Sequence, residues 1–128
     1  MVTEVTEGVK VSVETKFMED YSNPDQNYFI FSYRIKIENQ NPFTVQLLNR
    51  HWEIWDSLNG IRIVEGEGVV GQQPVLEPGE HYEYESACNL ESDIGSMKGV
   101  YSFKRLIDGS RFDVSVPVFY MQHPVRSN

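Results

Sequence analysis

From Phe29 to Ile37 every second residue is large and apolar: Phe29, Phe31, Tyr33, Ile35 and Ile37. Arg34, Lys36 and Glu38 occupy the alternate places. A helix would scatter the five apolar side chains around its axis, whereas an extended strand sets all of them on one side. Such a strand has a single greasy face and needs a second layer to cover it. The same period returns along the chain, at Val9, Val11 and Val13, then at Leu48, Trp52 and Ile54. It continues through Ile61 and Ile63, through Tyr82 and Tyr84 between His81, Glu83 and Glu85, and through Tyr101 and Phe103. Phe112, Val114, Val116 and Val118 close the series. Residue usage agrees: 15 valines and 8 isoleucines stand against one alanine, Ala87, a bias towards strand and away from helix.

Turn residues fall between these runs. Asn59-Gly60 and Asp108-Gly109 suit tight hairpins, and Pro78-Gly79 and Asn41-Pro42 mark further reversals. Residues 18–27 read as a polar loop around Asn23-Pro24. Seven strands at this spacing predict an all-β sandwich or small barrel. The prediction is one domain over residues 8–121, with residues 122–128 as a C-terminal tail.

Charge narrows the partners. The chain carries a formal net charge of −8 and a pI near 4.8. Phosphate backbones and anionic membranes both demand clustered Lys and Arg, so neither nucleic acid nor membrane is expected as a partner. No apolar run is long enough for a membrane helix, and residues 1–7 lack the basic start and apolar core of a secretion signal. A single cysteine, Cys88, cannot form an internal disulfide. A cytoplasmic location is therefore expected.

The most visible motif is Gly66-Glu67-Gly68-Val69-Val70-Gly71, a G-x-G-x-x-G. In a dinucleotide-binding fold it must open a helix whose N-terminus holds the pyrophosphate. Here Gln72-Gln73-Pro74-Val75-Leu76-Glu77-Pro78-Gly79 follows, which cannot be that helix. Two readings stay open: the glycines let a strand bulge or bend, or their amides form an anion-binding nest. Arg50 and Arg62 would supply cations to such a nest. The eight acids between Glu65 and Asp93 oppose it, with no Lys or Arg from 63 to 97.

Other chemistry is thinner. His81, Glu83 and Glu85 share a strand face at steps of about 7 Å and form a weak candidate for a hard cation, or else a solvated face. Gly95-Ser96-Met97-Lys98-Gly99 is not the G-x-S-x-G of a nucleophile elbow. Ser96 and Cys88 lack a base that sequence can identify. Glu65 with Glu67, or Glu83 with Glu85, could pose as acid and base, but an acidic protein carries such pairs for solubility.

Taken together, Val45-Gln46-Leu47-Leu48-Asn49-Arg50-His51-Trp52-Glu53-Ile54 and Val64-Glu65-Gly66-Glu67-Gly68-Val69-Val70-Gly71-Gln72-Gln73-Pro74-Val75-Leu76 resemble the ApaG family. So do Pro78-Gly79-Glu80, Tyr84-Glu85-Ser86, Gly95-Ser96-Met97-Lys98-Gly99-Val100-Tyr101 and Phe112-Asp113-Val114-Ser115-Val116-Pro117-Val118-Phe119. The resemblance spans about residues 9–121. It implies an immunoglobulin- or fibronectin-III-like sandwich of about seven to eight antiparallel strands, in a stand-alone bacterial protein. It also implies an association with cobalt and magnesium tolerance and with genes beside a dinucleoside-polyphosphate hydrolase. Related domains in eukaryotic F-box and DNA-polymerase-interacting proteins look like protein-binding modules. Carried over by position, the phosphate-contacting glycines would be Gly66, Gly68 and Gly71. Ala87 stands where a glycine is expected before Cys88, and Asp93 where proline is frequent.

The expectation is a non-enzymatic binding module with a protein partner and no cofactor, using the face around Arg50, Arg62 and the 66–71 loop. Recognition of pyrophosphate or a dinucleoside polyphosphate on that loop is the alternative, and divalent-cation binding the third. Exposed sheet edges also make a homodimer an option.

Overall fold

The computed structural model describes residues 1–124 and, among them, nine strands: β1 (Val2–Thr6), β2 (Val9–Phe17), β3 (Phe29–Asn39), β4 (Val45–Asp56), β5 (Gly60–Glu67), β6 (Val75–Leu76), β7 (His81–Leu90), β8 (Ile94–Arg105) and β9 (Arg111–Gln122). They form two antiparallel sheets. One runs β1-β2-β3-β7, the other β5-β4-β8-β9, with the short β6 pairing against the start of β4. Face to face, the two sheets make a sandwich, as the alternation allows, and it is of the fibronectin-III-like kind that the family resemblance implies. No helix among the described residues is long and apolar enough to cross a membrane.

β3 behaves as its pattern demands. Phe29, Phe31, Tyr33, Ile35 and Ile37 are all buried. Burying each of Phe29, Phe31, Ile35 and Ile37 contributes roughly 1.5–3 kcal/mol as an upper figure. Val9, Val11 and Val13 cover the same core from β2, and Trp52, Tyr101 and Phe103 meet them from the second sheet.

Two strands depart from simple alternation. The period puts Leu48 inside with Trp52 and Ile54, but the structure buries Leu47 instead, and the β4–β8 register shifts between Leu47 and Asn49. The bulge changes which parity faces the core, so the odd inward positions before it give way to even ones after it. The period likewise extends the inward set of β9 to Val118, yet Val118 is exposed, while Phe119 and Met121 are buried. The β8–β9 register slips beside Met97 and Gly99, opposite Val116 to Phe119, and Pro117 sits at that slip. Proline has no N–H to give a ladder, so a bulge is where a strand tolerates it.

The fold also starts earlier than residue 8, where the sequence pattern begins. Val2–Thr6 form β1, joined to β2 by Glu7 and Gly8, both at positive φ (52° and 74°). At the other end Gln122 belongs to β9, and the His123 ring packs against Phe17 and Phe29. Of the expected tail, residues 125–128 lie outside the described residues.

The two sides of the sandwich differ. On one side β1 packs against β9, and the Ser115 amide donates to Thr6 Oγ1 at 3.3 Å. On the other, β5 and β7 end their sheets, linked across the gap by the Arg62 side chain, which donates to the Asn89 carbonyl at 2.8 Å.

Candidate functional site

The glycine motif begins inside β5 and ends in a tight reversal, with no helix directly after Gly71. Val69 and Gln72 exchange backbone hydrogen bonds of 2.8 and 2.9 Å, and the two residues between them, Val70 and Gly71, both have positive φ (47° and 76°). That pair of angles is the requirement of a type I′ hairpin turn. Gly68, at φ +65°, donates its amide to the Leu48 carbonyl at 2.8 Å. A Cβ there would lie 2.2 Å from the Gln72 carbonyl oxygen.

Arg50 shares the inward face of β4 with Trp52, as its parity requires once the bulge is passed. It lies opposite Gly66 across the β4–β5 ladder. Its guanidinium fills the place of a Gly66 side chain, 2.7–2.8 Å from where a Cβ would be. Nη1 donates to the carbonyls of Glu67 and Gly68, at 3.1 and 2.9 Å. The structure thus brings Arg50, Gly66 and Gly68 together, with the arginine clamping loop carbonyls and the Gly68 amide turned to Leu48. Gly71 lies at the open tip of the turn, where a Cβ would meet nothing within 4 Å. Arg62 is not brought to the loop: it points to β7, where Asn89 and the Cys88 sulfur accept from it.

Behind Arg50 lies a polar cluster that sequence reasoning does not anticipate. Tyr84 and Tyr101 share a hydroxyl–hydroxyl hydrogen bond across the two sheets. Trp52 packs edge-on against Tyr33 and Tyr101 at 5.8 and 6.1 Å. Burial raises the pKa of Tyr33, Tyr84 and Tyr101, and the nearby Arg50 charge opposes the rise without cancelling it. All three stay protonated at neutral pH. The signal available in the sequence is tyrosine at inward positions of β3, β7 and β8, where a hydrocarbon ring would fill the space without needing a partner.

His81, Glu83 and Glu85 lie on the outer face of β7, as their alternation requires. Their ladder neighbours on β3 are Glu38, Lys36 and Arg34, and Arg34 pairs with Glu85 at 3.4 Å. A cation there would compete with two side-chain cations already in place. Among the described residues, no group of three or more His, Cys, Asp or Glu is placed to hold a metal ion. Of the carboxylate pairs, Glu65 meets His51 at 3.4 Å on the outer face of β5, and Glu67 lies opposite Asn49. Ser96 lies near the start of β8 between Trp55 and Tyr120, so neither ladder partner is a histidine or a carboxylate.

Cys88 is buried, and burial pushes its thiol up to about 11, against the opposing pull of Arg62. Such a thiol is almost wholly protonated at neutral pH and a poor nucleophile.

The model of the ApaG domain family matches residues 19–105 of this chain. The chain belongs to the ApaG family. The ApaG protein of Paramagnetospirillum magneticum is 42% identical over 124 residues, covering 97% of this chain and 95% of the relative. That of Brucella canis is 41% identical over the same shares. A crystal structure of an ApaA protein from Bordetella pertussis is 38% identical, with a TM-score of 0.87 over 91% of this chain and 94% of the other. A second solved structure, 32% identical, gives a TM-score of 0.84 over 91% and 88%. Of the two departures from the ApaG pattern, Ala87 sits in the regular β3–β7 ladder opposite Ser32 without positive φ, so no glycine is needed there. Asp93 lies in the β7–β8 connection, where its carbonyl accepts from the His123 amide at 2.8 Å.

Proposed function

We propose that this chain is a non-catalytic binding module that receives an extended segment of a protein partner along β5. One observation carries the reading: β5 is a sheet edge whose apolar side chains are exposed. Ile61, Ile63 and Val64 are 65, 48 and 37% exposed, and beside them Trp55 and Leu58 are 38 and 61% exposed. Sheet edges are normally blunted by lysine, proline, a bulge or a covering segment. β9 carries Pro117 and has β1 packed against it. β7 alternates His81, Glu83 and Glu85 along its outer face. β5 carries no lysine, no proline and no bulge over its eight residues, and of its three charged side chains Arg62 turns to β7, Glu65 pairs with His51 and Glu67 lies opposite Asn49. A partner strand would find a row of backbone groups there, with alternate apolar side chains to grip.

The 66–71 loop supports the same reading. Val70 is 61% exposed at φ +47°, a costly place for a β-branched side chain. It adds an apolar tip at the end of the β5 edge. Small-anion recognition at Gly66, Gly68 and Gly71 would require Arg50 to leave two carbonyls and the Gly68 amide to leave Leu48, so the edge reading is preferred. On this reading the cobalt and magnesium tolerance implied by the family resemblance is exercised through the partner.

The test is site-specific photo-crosslinking in living cells. A benzophenone side chain at position 63 should give discrete protein adducts that vanish in an Ile61→Lys background. The same group at position 15, on β2, should not. Equal adduct patterns at both positions would refute the reading.

A further inference from the structure

On the outer face of the first sheet, away from β5, the segment between β2 and β3 builds a groove of about 510 Å³, in the size range of small-ligand sites. Met18, Tyr21, Tyr28 and Ile30 line it together with Ser32, Ala87 and the carboxylate-bearing Glu85. The sequence predicts a plain polar loop here. Residues 18–28 are instead tied down at several points, with two 3₁₀ turns at Glu19–Tyr21 and Pro24–Gln26. The Met18 amide donates to the Ile30 carbonyl at 2.8 Å. Ser22 Oγ donates to the Met18 carbonyl at 2.7 Å and accepts the Ile30 amide at 2.9 Å. Asn23 and Tyr28 exchange backbone bonds of 2.7 and 3.0 Å, with Asn27 held at φ +55° between the turn and β3. The groove is therefore formed before anything enters it, and a preformed site avoids the ordering cost of binding.

Its chemistry selects the occupant. Tyr21 and Tyr28 stand 68 and 46% exposed, a large aromatic area for a surface loop. Glu85 lines the groove with them, and the segment that carries them is acidic, with Glu19 and Asp20 in the first turn and Asp25 in the second, while Glu14 lies opposite Arg34 on β2. The cations of this neighbourhood are Lys16, opposite Ser32, and Arg34, opposite both Glu14 and Glu85. Arg34 pairs with Glu85 at 3.4 Å with both side chains exposed, so an incoming cation would compete with Arg34 for that carboxylate. Exposed tyrosine rings and a carboxylate lining one groove, on an acidic segment, supply the two groups that hold a guanidinium or ammonium, by cation–π attraction and an ion pair.

We propose that this groove binds an arginine or lysine side chain presented by a partner polypeptide. The proposal is independent of the β5 reading, since it concerns another face of the molecule.

The test is an amide chemical-shift titration of the intact protein with an end-blocked Gly-Leu-Arg-Leu-Gly peptide, and with the same peptide carrying neutral citrulline for arginine. The arginine peptide should shift Tyr21, Tyr28, Ile30, Ser32 and Ala87 saturably. The citrulline peptide should bind at least about tenfold more weakly, equivalent to ~1.4 kcal/mol. Tyr28→Ser and Glu85→Gln should each weaken the arginine peptide while leaving shifts elsewhere in place, since both side chains are solvent-facing. Equal binding of the citrulline peptide would overturn the proposal by reducing the groove to an apolar surface. Shifts confined to other residues, or none at millimolar peptide, would overturn it as well.

Discussion

At the scale of single residues, the three glycines of the 66–71 motif do three different jobs, and substitution should separate them. Gly68→Ala combines positive φ with a backbone clash and should cost about 3 kcal/mol. Gly71→Ala meets no atom and should cost only the left-handed penalty, about 1 kcal/mol. Gly66→Ala pushes a flexible guanidinium away, so its cost should fall between and should disappear in an Arg50→Ala background. Urea unfolding of the five variants checks that order; equal costs at 68 and 71 would contradict it. The Tyr84–Tyr101 pair makes a sharper prediction. Replacing either with Phe leaves the other hydroxyl without its partner, at about 1–2 kcal/mol, whereas the double Phe variant should cost less than the sum of the two. Cys88 should react with a thiol reagent at pH 8 about 100-fold more slowly in the folded protein than in urea, following its raised pKa. A burst of labelling in the native state would show that the thiol is not held as described.

At the scale of elements, Asp56 ties two connections together. It ends β4, is 2% exposed, and accepts from the Leu58 amide at 3.0 Å, the Glu91 amide at 2.7 Å and the Ser92 hydroxyl. It thereby fastens the β4–β5 turn to the β7–β8 connection. Burial alone would raise its pKa, but the donors from Ser92, Glu91 and Leu58 outweigh it and hold the carboxyl below its ordinary value. Its ionised form therefore stabilises the fold above the ordinary carboxylate pKa, and that stabilisation fades as pH falls through the lower, folded-state value. Asp56→Asn should cost about 2 kcal/mol at neutral pH, since its amide group faces donors. It should also flatten the loss of stability that sets in as pH falls below the ordinary carboxylate value. An unchanged pH profile by thermal melts would refute that role. The same scale shows how much the sequence can tell. The β3 alternation is unbroken, so its buried face is legible residue by residue. In β4 and β9 a bulge changes parity part-way, and only a partner strand reveals which residue is skipped. That is why the period misplaces Leu48 and Val118 but not Trp52. β1 is invisible for another reason: its Val2 and Val5 are exposed, so no core imposes a pattern on it.

At the scale of the whole molecule, two facing layers and their antiparallel order follow from alternation and turn residues. The relation of the sheets' margins does not. Neither the parity of Arg50 nor the composition of β5 announces that one flank is shut by β1 while the other is bridged by an arginine side chain. Arg62 is that bridge, and Arg62→Ala should loosen the β5–β7 flank more than the β1–β9 flank. Hydrogen exchange should show faster exchange in residues 60–67 and 86–90 and unchanged exchange in residues 2–6; a uniform change would mean that the arginine acts on global stability alone.

The bare margin of β5 also bears on how the protein behaves in concentrated solution. Eight surplus negative charges keep neighbouring molecules apart at neutral pH. Near pH 4.8 that repulsion vanishes, while Ile61, Ile63 and Val64 stay as sticky as before. Turbidity should therefore peak there, with a cross-β dye response that Ile63→Lys abolishes. The acidity of the molecule would then serve as a colloidal guard over an uncovered strand.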